Sequence, residues 1–417
     1  MHAYHQQQRR PSHQTSLRGW VDAKPLAVVT PAFLPYGRQT ISEADIAAVD
    51  AVLRSPFLTQ GPAVPAFEQG LAHAVGASAV VAVNSATSAL HLACLALGLG
   101  PGGLLWTTPI TFVASANCGR YCGADVEFVD IDGDTGLICL QALECKLSNA
   151  AAAGRLPDLI VPVHLAGTSC AMADLAALVR PYGVKILEDA SHAIGGHYRQ
   201  EAVGSCRFSD AAVFSFHPVK IITSGEGGAV CCNDPELAER MRQLRSHGIT
   251  KDPERFVQEA AGPWSYEQQM LGFNYRMTDL QAALGMSQLQ RLGSVVTERN
   301  RLHRLYEDRL ETLPVQLLAI PDDCLSALHL AVIQLDDDDA QRHRKVFEGM
   351  RAAGIGVQLH YSPVHLQPYY QQLGFNAGDF PAAEAYGRSA ISLPLYPGLS
   401  ELDLERVVTT LESVLKR

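Results

Sequence analysis

The chain has 417 residues, 47% of them hydrophobic and 18% charged, with a formal net charge of −10. That length predicts two or three structural units sharing ample core, the composition is that of a soluble globular enzyme, and the negative balance disfavours nucleic acid as a partner. The 10 cysteines form no repeated C-x-x-C pattern and read as reduced thiols. With no apolar run near the roughly 18 residues that span a bilayer, and no leader-like start, the expectation is a cytoplasmic protein without a metal site.

Residues 1 to about 30 are polar and rich in His and Gln, without periodicity, and are expected to form a flexible extension. A large unit is expected over 31–285 and a smaller one over 286–417. The first helix should begin at Ser42, where Ser42-Glu43-Ala44-Asp45 has the form of a capping box ahead of Ile46, Val49 and Leu53, and end near Pro56. Ala79 to Val83 is a short buried-strand candidate, followed by the polar turn Asn84 to Ser88 and a helix that stops at Gly98. Further strands are expected at Leu104 to Thr108, Val126 to Asp130, Leu159 to Val163, Val184 to Leu187, Ala211 to Phe214 and Ala229 to Cys232. Strands alternating with helices predict an α/β fold, a largely parallel sheet covered on both faces with its chemistry at the strand ends. Beyond Met277 come helices over Asp279 to Arg291 and Val296 to Glu311, a strand Leu328 to Leu335, a helix to about Ala353 and a strand Ile355 to Tyr361. The acidic run Asp336 to Asp339 stands immediately before a helix, so it reads as N-terminal capping and not as a cation site.

Lys220 and Asp189 carry the chemistry. Lys220 ends the run Phe214-Ser215-Phe216-His217-Pro218-Val219-Lys220, one supersecondary unit after Glu188-Asp189-Ala190-Ser191-His192. A lysine amine that bonds an aldehyde, with an acid that keeps a pyridine nitrogen protonated, is what pyridoxal 5′-phosphate requires. The other grips have candidates: Ser85-Ala86-Thr87 at a helix start and Ser215 for the phosphate, Phe112 for the ring, and His192 for the phenolic oxygen. Each alone reads as a cap, a core aromatic or an incidental dipeptide; their joint order along one alternating sheet is the signal. Gly225-Glu226-Gly227-Gly228 lacks the spacing of a dinucleotide loop and reads as a tight turn feeding a strand.

The chain resembles the DegT/DnrJ/EryC1/StrS family of sugar aminotransferases over about residues 33 to 415. The matching stretches include Phe57-Leu58-Thr59-Gln60-Gly61-Pro62, Val83 to Leu90, Pro109 to Ala114, Phe128 to Asp132, Pro162 to Gly167, Glu188 to Ala193, Phe214 to Lys220, Leu244 to Ile249, Gly272 to Asp279 and His360 to His365. The resemblance implies an aspartate aminotransferase-like, fold-type I architecture: a large domain with a mostly parallel seven-stranded sheet and a smaller C-terminal α/β domain. It implies Lys220 as the lysine that bonds the cofactor, Asp189 at the pyridine nitrogen, His192 near the phenolic oxygen and Phe112 over the ring. Ala86, Thr87 and Ser215 would hold the phosphate, joined by Asn274 from the second subunit of a homodimer. Three departures are visible: Ala86 where glycine is common, Pro101-Gly102-Gly103 in place of an acidic turn, and His192 where some members carry glutamine. None removes a catalytic group.

The activity implied is transfer of an amino group from L-glutamate to the C4 ketone of a nucleotide-linked 6-deoxyhexose, with UDP-4-keto-6-deoxy-N-acetyl-β-L-altrosamine, on the pseudaminic acid route, as the specific expectation. His217 and Tyr361 are candidates for sugar contacts. A dehydratase of the same family would have histidine in place of Lys220. A non-catalytic regulator would show a basic or DNA-binding module, and a Rossmann epimerase an N-terminal G-x-G-x-x-G.

Overall fold

The structure, a computed structural model, describes residues 33–416; the expected extension over 1–30 lies outside the described residues. Helix α1 (Glu43–Leu53) starts as anticipated: Ser42 accepts from the Asp45 amide while Asp45 reaches back to the Ser42 amide, closing the capping box. Its burial is inverted, however. Ile46 and Leu53 are exposed and Asp45 is fully buried, because the Asp45 carboxylate is the acceptor for Ser287, Gln288 and Arg291.

Helix α2 (Ala63–Val75) leads into β1 (Ala79–Val83), and α3 (Ala86–Ala96) follows after the Ser85 N-cap. Then come β2 (Leu104–Thr107), α4 (Ala114–Tyr121), β3 (Asp125–Phe128), α5 (Leu140–Ala153), β4 (Leu159–Val161), α6 (Met172–Val179), β5 (Lys185–Asp189), β6 (Ala211–Ser215), β7 (Gly228–Cys232) and α7 (Pro235–Arg245). These seven strands form one sheet in the order β1-β7-β6-β5-β4-β2-β3. It is parallel except at β7, which runs antiparallel to both β1 and β6. Strands such as Ala-Val-Val-Ala-Val and Ala-Ala-Val-Phe-Ser are apolar on both sides because helices cover both faces. One face packs against α3, α4 and α7 through Leu90, Cys118 and Met241. The other packs against α5 and α6 through Leu143 and Leu175, and against α2 through Phe67 and Leu71.

Helices α8 (Asp279–Leu289) and α9 (Leu292–Leu310) lead to a small antiparallel sheet of β8 (Val315–Leu317), β9 (Ala331–Leu335) and β10 (Ala390–Leu393), with β9 in the centre. Helix α10 (Ala340–Ala352) and the helix Glu401–Leu415 add Val346, Met350, Leu404 and Leu411 to its core. Asp339 caps α10 as the sequence suggested, whereas Asp336, Asp337 and Asp338 form ion pairs with Arg342 and Arg388.

Two expected strands differ. The strand anticipated from Leu328 starts only at Ala331, since Leu328 has a left-handed φ of 51° that breaks extended pairing. Residues 355–361 form no ladder. Ile355 bridges Leu34 on one side and Gln358 bridges Ser392 on the other, so the segment is clasped alternately by two neighbours. Among the described residues no helix is long and apolar enough to cross a membrane.

One close approach decides the geometry at the head of α3. A Cβ on Gly228, the first residue of β7, would lie 2.5 Å from the Ala86 nitrogen and 2.6 Å from the Ser85 carbonyl carbon. Both are backbone atoms and cannot swing aside. Gly228→Ala should therefore cost about 1–3 kcal/mol, read as a lowered urea midpoint at unchanged slope; an unaltered midpoint would mean that α3 can retreat from the sheet.

Candidate active site

The chain order β5, β6, β7 places three strand ends around one cavity of about 400 Å³. The strand expected to stop at Leu187 runs on to Asp189, the last residue of β5, which pairs in register with Val213 of β6. Ser215 ends β6 opposite Gly228. The chain then turns, the Lys220 amide donating to the His217 carbonyl, before the Phe216 amide bonds the Gly227 carbonyl and closes the loop. Ala86, Thr87, Phe112, Asp189, His192, Ser215, His217, Lys220 and Tyr361 all line the cavity. Asn274 does not; it is exposed on a segment held to Ser246 and, through Arg276, to the edge residue Val83.

Asp189 is 5% exposed and fixed from both sides. The Ser191 amide donates to its Oδ1 at 3.1 Å, and the Ser115 hydroxyl donates to its Oδ2 at 2.6 Å. Since that commits the Ser115 proton, Thr111, 2.6 Å from Ser115, donates in turn. Its neighbour Glu188 is held elsewhere, by His164 at 2.7 Å and by Ser209. That leaves Asp189 as the carboxylate of the pair that faces the cavity.

Lys220 is half-buried as a residue, but its head group is enclosed. Burial pushes its ammonium down to about 8, against the opposing pull of Asp189. Besides His217, three buried imidazoles share the wall. Burial holds His192 and His329 well below the usual histidine value and brings His360 to about 3, and the Lys220 charge adds to each shift. His192 and His329 lie with ring centroids 4.5 Å apart, and His192 Nε2 is 3.1 Å from the Tyr361 hydroxyl. The Nδ1 atoms of both rings are buried and have no partner. Burial, then Asp189, raises the Tyr361 hydroxyl above its ordinary value, so it stays protonated.

Tyr36, Ser115, Glu226, His329 and His360 were not singled out from the sequence. His360 and Glu226 lay inside motifs already noted, and Ser115 stands one helical turn after Thr111, a spacing that puts two hydroxyls on one face. Tyr36 and His329 had no local signal.

The family model of the DegT/DnrJ/EryC1/StrS aminotransferases matches residues 39–412. The chain belongs to this family. Among curated relatives, the spore coat polysaccharide biosynthesis protein SpsC of Bacillus subtilis is 38% identical over 92% of this chain and 97% of its own. The UDP-4-amino-4,6-dideoxy-N-acetyl-β-L-altrosamine transaminase of Campylobacter jejuni is 36% identical over 92% and 98%. Among solved structures, Helicobacter pylori PseC, an aminotransferase of pseudaminic acid biosynthesis, matches with a TM-score of 0.84 at 31% identity, covering 92% of this chain and 99% of that one. A putative sugar aminotransferase of Streptococcus pneumoniae, solved in PMP and PLP forms, matches in its PMP form at 0.85 and 28%, with coverage of 92% and 99%. The protein is accordingly a pyridoxal phosphate-dependent sugar aminotransferase of fold type I.

The residues present fit that cofactor. The helical geometry leaves the Ala86 and Thr87 amides without intrahelical partners, while the Ser88 amide is already taken by Ser85. An anion site thus stands beside the Ser215 hydroxyl, with an amine and a fixed carboxylate on the same cavity wall. Phe112, 56% exposed at the opening, offers an aromatic face. The two orphaned imidazole nitrogens supply polar positions for a ligand to satisfy.

Two outcomes follow from this geometry. Borohydride reduction of the yellow holoenzyme and peptide mass spectrometry should place the pyridoxyl group on Lys220; another lysine would overturn the assignment. Ser115→Ala removes one of two donors fixing Asp189. It should weaken cofactor binding by about tenfold in a fluorescence titration of the apoenzyme.

Proposed function

We propose that the enzyme transfers an amino group from L-glutamate to the C4 ketone of UDP-4-keto-6-deoxy-N-acetyl-β-L-altrosamine. The observation that carries the reaction class is the convergence of Lys220, Asp189 and the head of α3 on one cavity. The choice of ketone leans on the likeness to a transaminase named for that product. A second reading, another UDP- or dTDP-linked ketosugar, is favoured by the comparable likeness to a spore coat polysaccharide protein.

Bound pyridoxal phosphate supplies an aldehyde that carries the amino group and a ring that accepts electron density. The chain's residues do the rest. The Ala86 and Thr87 amides and the Ser215 hydroxyl take the phosphate, whose charge complements the helix start. Asp189, pinned by Ser115 and Ser191, holds the pyridine proton. Lys220 would hold the aldehyde, and its amine, whose ammonium form burial disfavours, would be the group that moves a proton at the substrate carbon. Phe112 would cover the ring, and His192, oriented by Tyr361, would face the phenolic oxygen. His217 and Tyr361 meet the sugar.

The placement of Asn274 supports a homodimer with shared sites. The residue is exposed and outside its own chain's cavity. Val257, Trp264, Tyr266 and Leu271 on the same stretch are also exposed, an apolar area that favours cover by a second copy. Asn274 of one subunit then reaches the phosphate of the other, and cofactor retention is linked to assembly.

Incubation with glutamate and a panel of UDP- and dTDP-4-ketosugars, with the amino sugar identified by mass spectrometry, should give fastest turnover on the altrosamine-type ketone. A dTDP substrate preferred by tenfold or more would install the second reading. Mixing inactive Lys220→Ala with inactive Asn274→Asp protein under subunit exchange should restore activity, because one heterodimer site then carries neither lesion. No recovery from two folded, exchanging parents would place Asn274 away from the partner's cofactor.

A further inference from the structure

A second, much smaller cavity shares Lys220 with the first. Its volume is about 10 Å³, and Arg38, Thr223, Gln288, Arg291 and Arg299 line it with Lys220. Three guanidinium groups and an amine line it, and among the described residues no carboxylate does. Asp45 is the nearest compensation, and its carboxylate is fully used by Ser42, Ser287, Gln288 and Arg291.

Arg299 is the decisive residue. It is 2% exposed and forms no ion pair among the described residues. Its Nη1 donates to three carbonyls, Leu328 at 3.1 Å, His329 at 3.2 Å and Leu395 at 3.0 Å, while its Nε is buried without a partner. Arg291 Nε, on the same cavity, is likewise buried and unpartnered. Arg38 lies over the Tyr396 ring at 5.7 Å and has no carboxylate among the described residues. Burial pushes the Arg299 guanidinium down to about 10, which still leaves it charged at neutral pH. An unpaired buried cation is costly. Three carbonyl dipoles accept hydrogen bonds but do not cancel the charge.

We propose that this cavity binds a monatomic monovalent anion, chloride under ordinary conditions, held by the guanidinium groups of Arg299, Arg291 and Arg38. Size narrows the class: so small a cavity has no room for a carboxylate or a phosphate, which separates this site from the substrate and cofactor sites. The anion joins the segment around Arg38, the α8–α9 junction and the loop that carries Lys220. A ligand bound only by the folded chain stabilises it by mass action.

Crystals of the holoenzyme soaked in bromide should show an anomalous peak in contact with the Arg299 guanidinium. In solution, replacing gluconate by chloride at constant ionic strength should raise the unfolding midpoint in a saturable manner, and Arg299→Gln should abolish the rise. Should that variant fail to fold, Arg38→Gln, at an exposed position, should weaken the chloride response. Absence of bromide from the cavity, or equal midpoints in chloride and gluconate, overturns the proposal and assigns the cavity to water. An undiminished chloride response in a folded Arg299→Gln protein places the halide elsewhere.

Discussion

One enclosed pair of opposite charges organises this protein. Asp189 ends one strand, Lys220 follows the end of its parallel neighbour, and both face a cavity in which burial disfavours the charged forms of His192, His329 and His360. Away from water an ionic interaction is several-fold stronger than at the surface, so the position of each partner must be fixed by the fold. For Asp189 the fixing is explicit: β5 lies between β4 and β6, the Asp189 amide donates to Pro162, and the Thr111–Ser115 relay reaches across from the start of α4. Lys220 is held through its backbone turn and left free at its tip. A group that bonds, releases and moves protons needs that freedom.

The antiparallel strand β7 provides the other end of the site. Coming back between β6 and β1, it brings Gly228 against the backbone of Ser85 and Ala86, and so sets the first turn of α3 beside Ser215. An all-parallel sheet of the same strands would separate these two elements. The anion-binding amides and the hydroxyl meet because β7 reverses direction and because its first residue has no side chain.

Much of this was legible in the sequence, for identifiable reasons. Buried parallel strands read as continuous apolar runs, and the seven strands of the large sheet, from Ala79–Val83 to Gly228–Cys232, fall within two residues of expectation at each end. Residues bound to one motif, such as Asp189 with His192 or Ser215 with Lys220, were found because chain distance and spatial distance coincide there. What was not legible depended on distant partners. Ile46 and Leu53 have helical spacing yet stay exposed, because the Asp45 carboxylate fastens α1 to α8 and to Arg291 at the α8–α9 junction. His329 reaches the cavity only because Arg299 and the Gly167 turn hold the 326–330 segment in place, a Cβ on Gly167 falling 2.6 Å from the Leu328 nitrogen. No local pattern encodes such a contact.

The division of labour between these two groups of residues bears on how a family of this kind changes substrates. The residues that fit the cofactor sit on the ends of the large sheet or at the heads of α3 and α4, inside cores that tolerate little change. The remaining wall, Tyr36, His329, His360 and Tyr361, comes from segments tied to the small sheet: His360 Nδ1 lies 2.8 Å from the Ser392 hydroxyl on β10, and His329 stands two residues before β9. A small shift of that sheet moves this wall against a stationary Asp189 and Lys220. Selectivity among ketosugars, which rests on a few kcal/mol of fit and hydrogen bonding, can therefore be retuned on one side of the cavity while the chemistry stays fixed on the other.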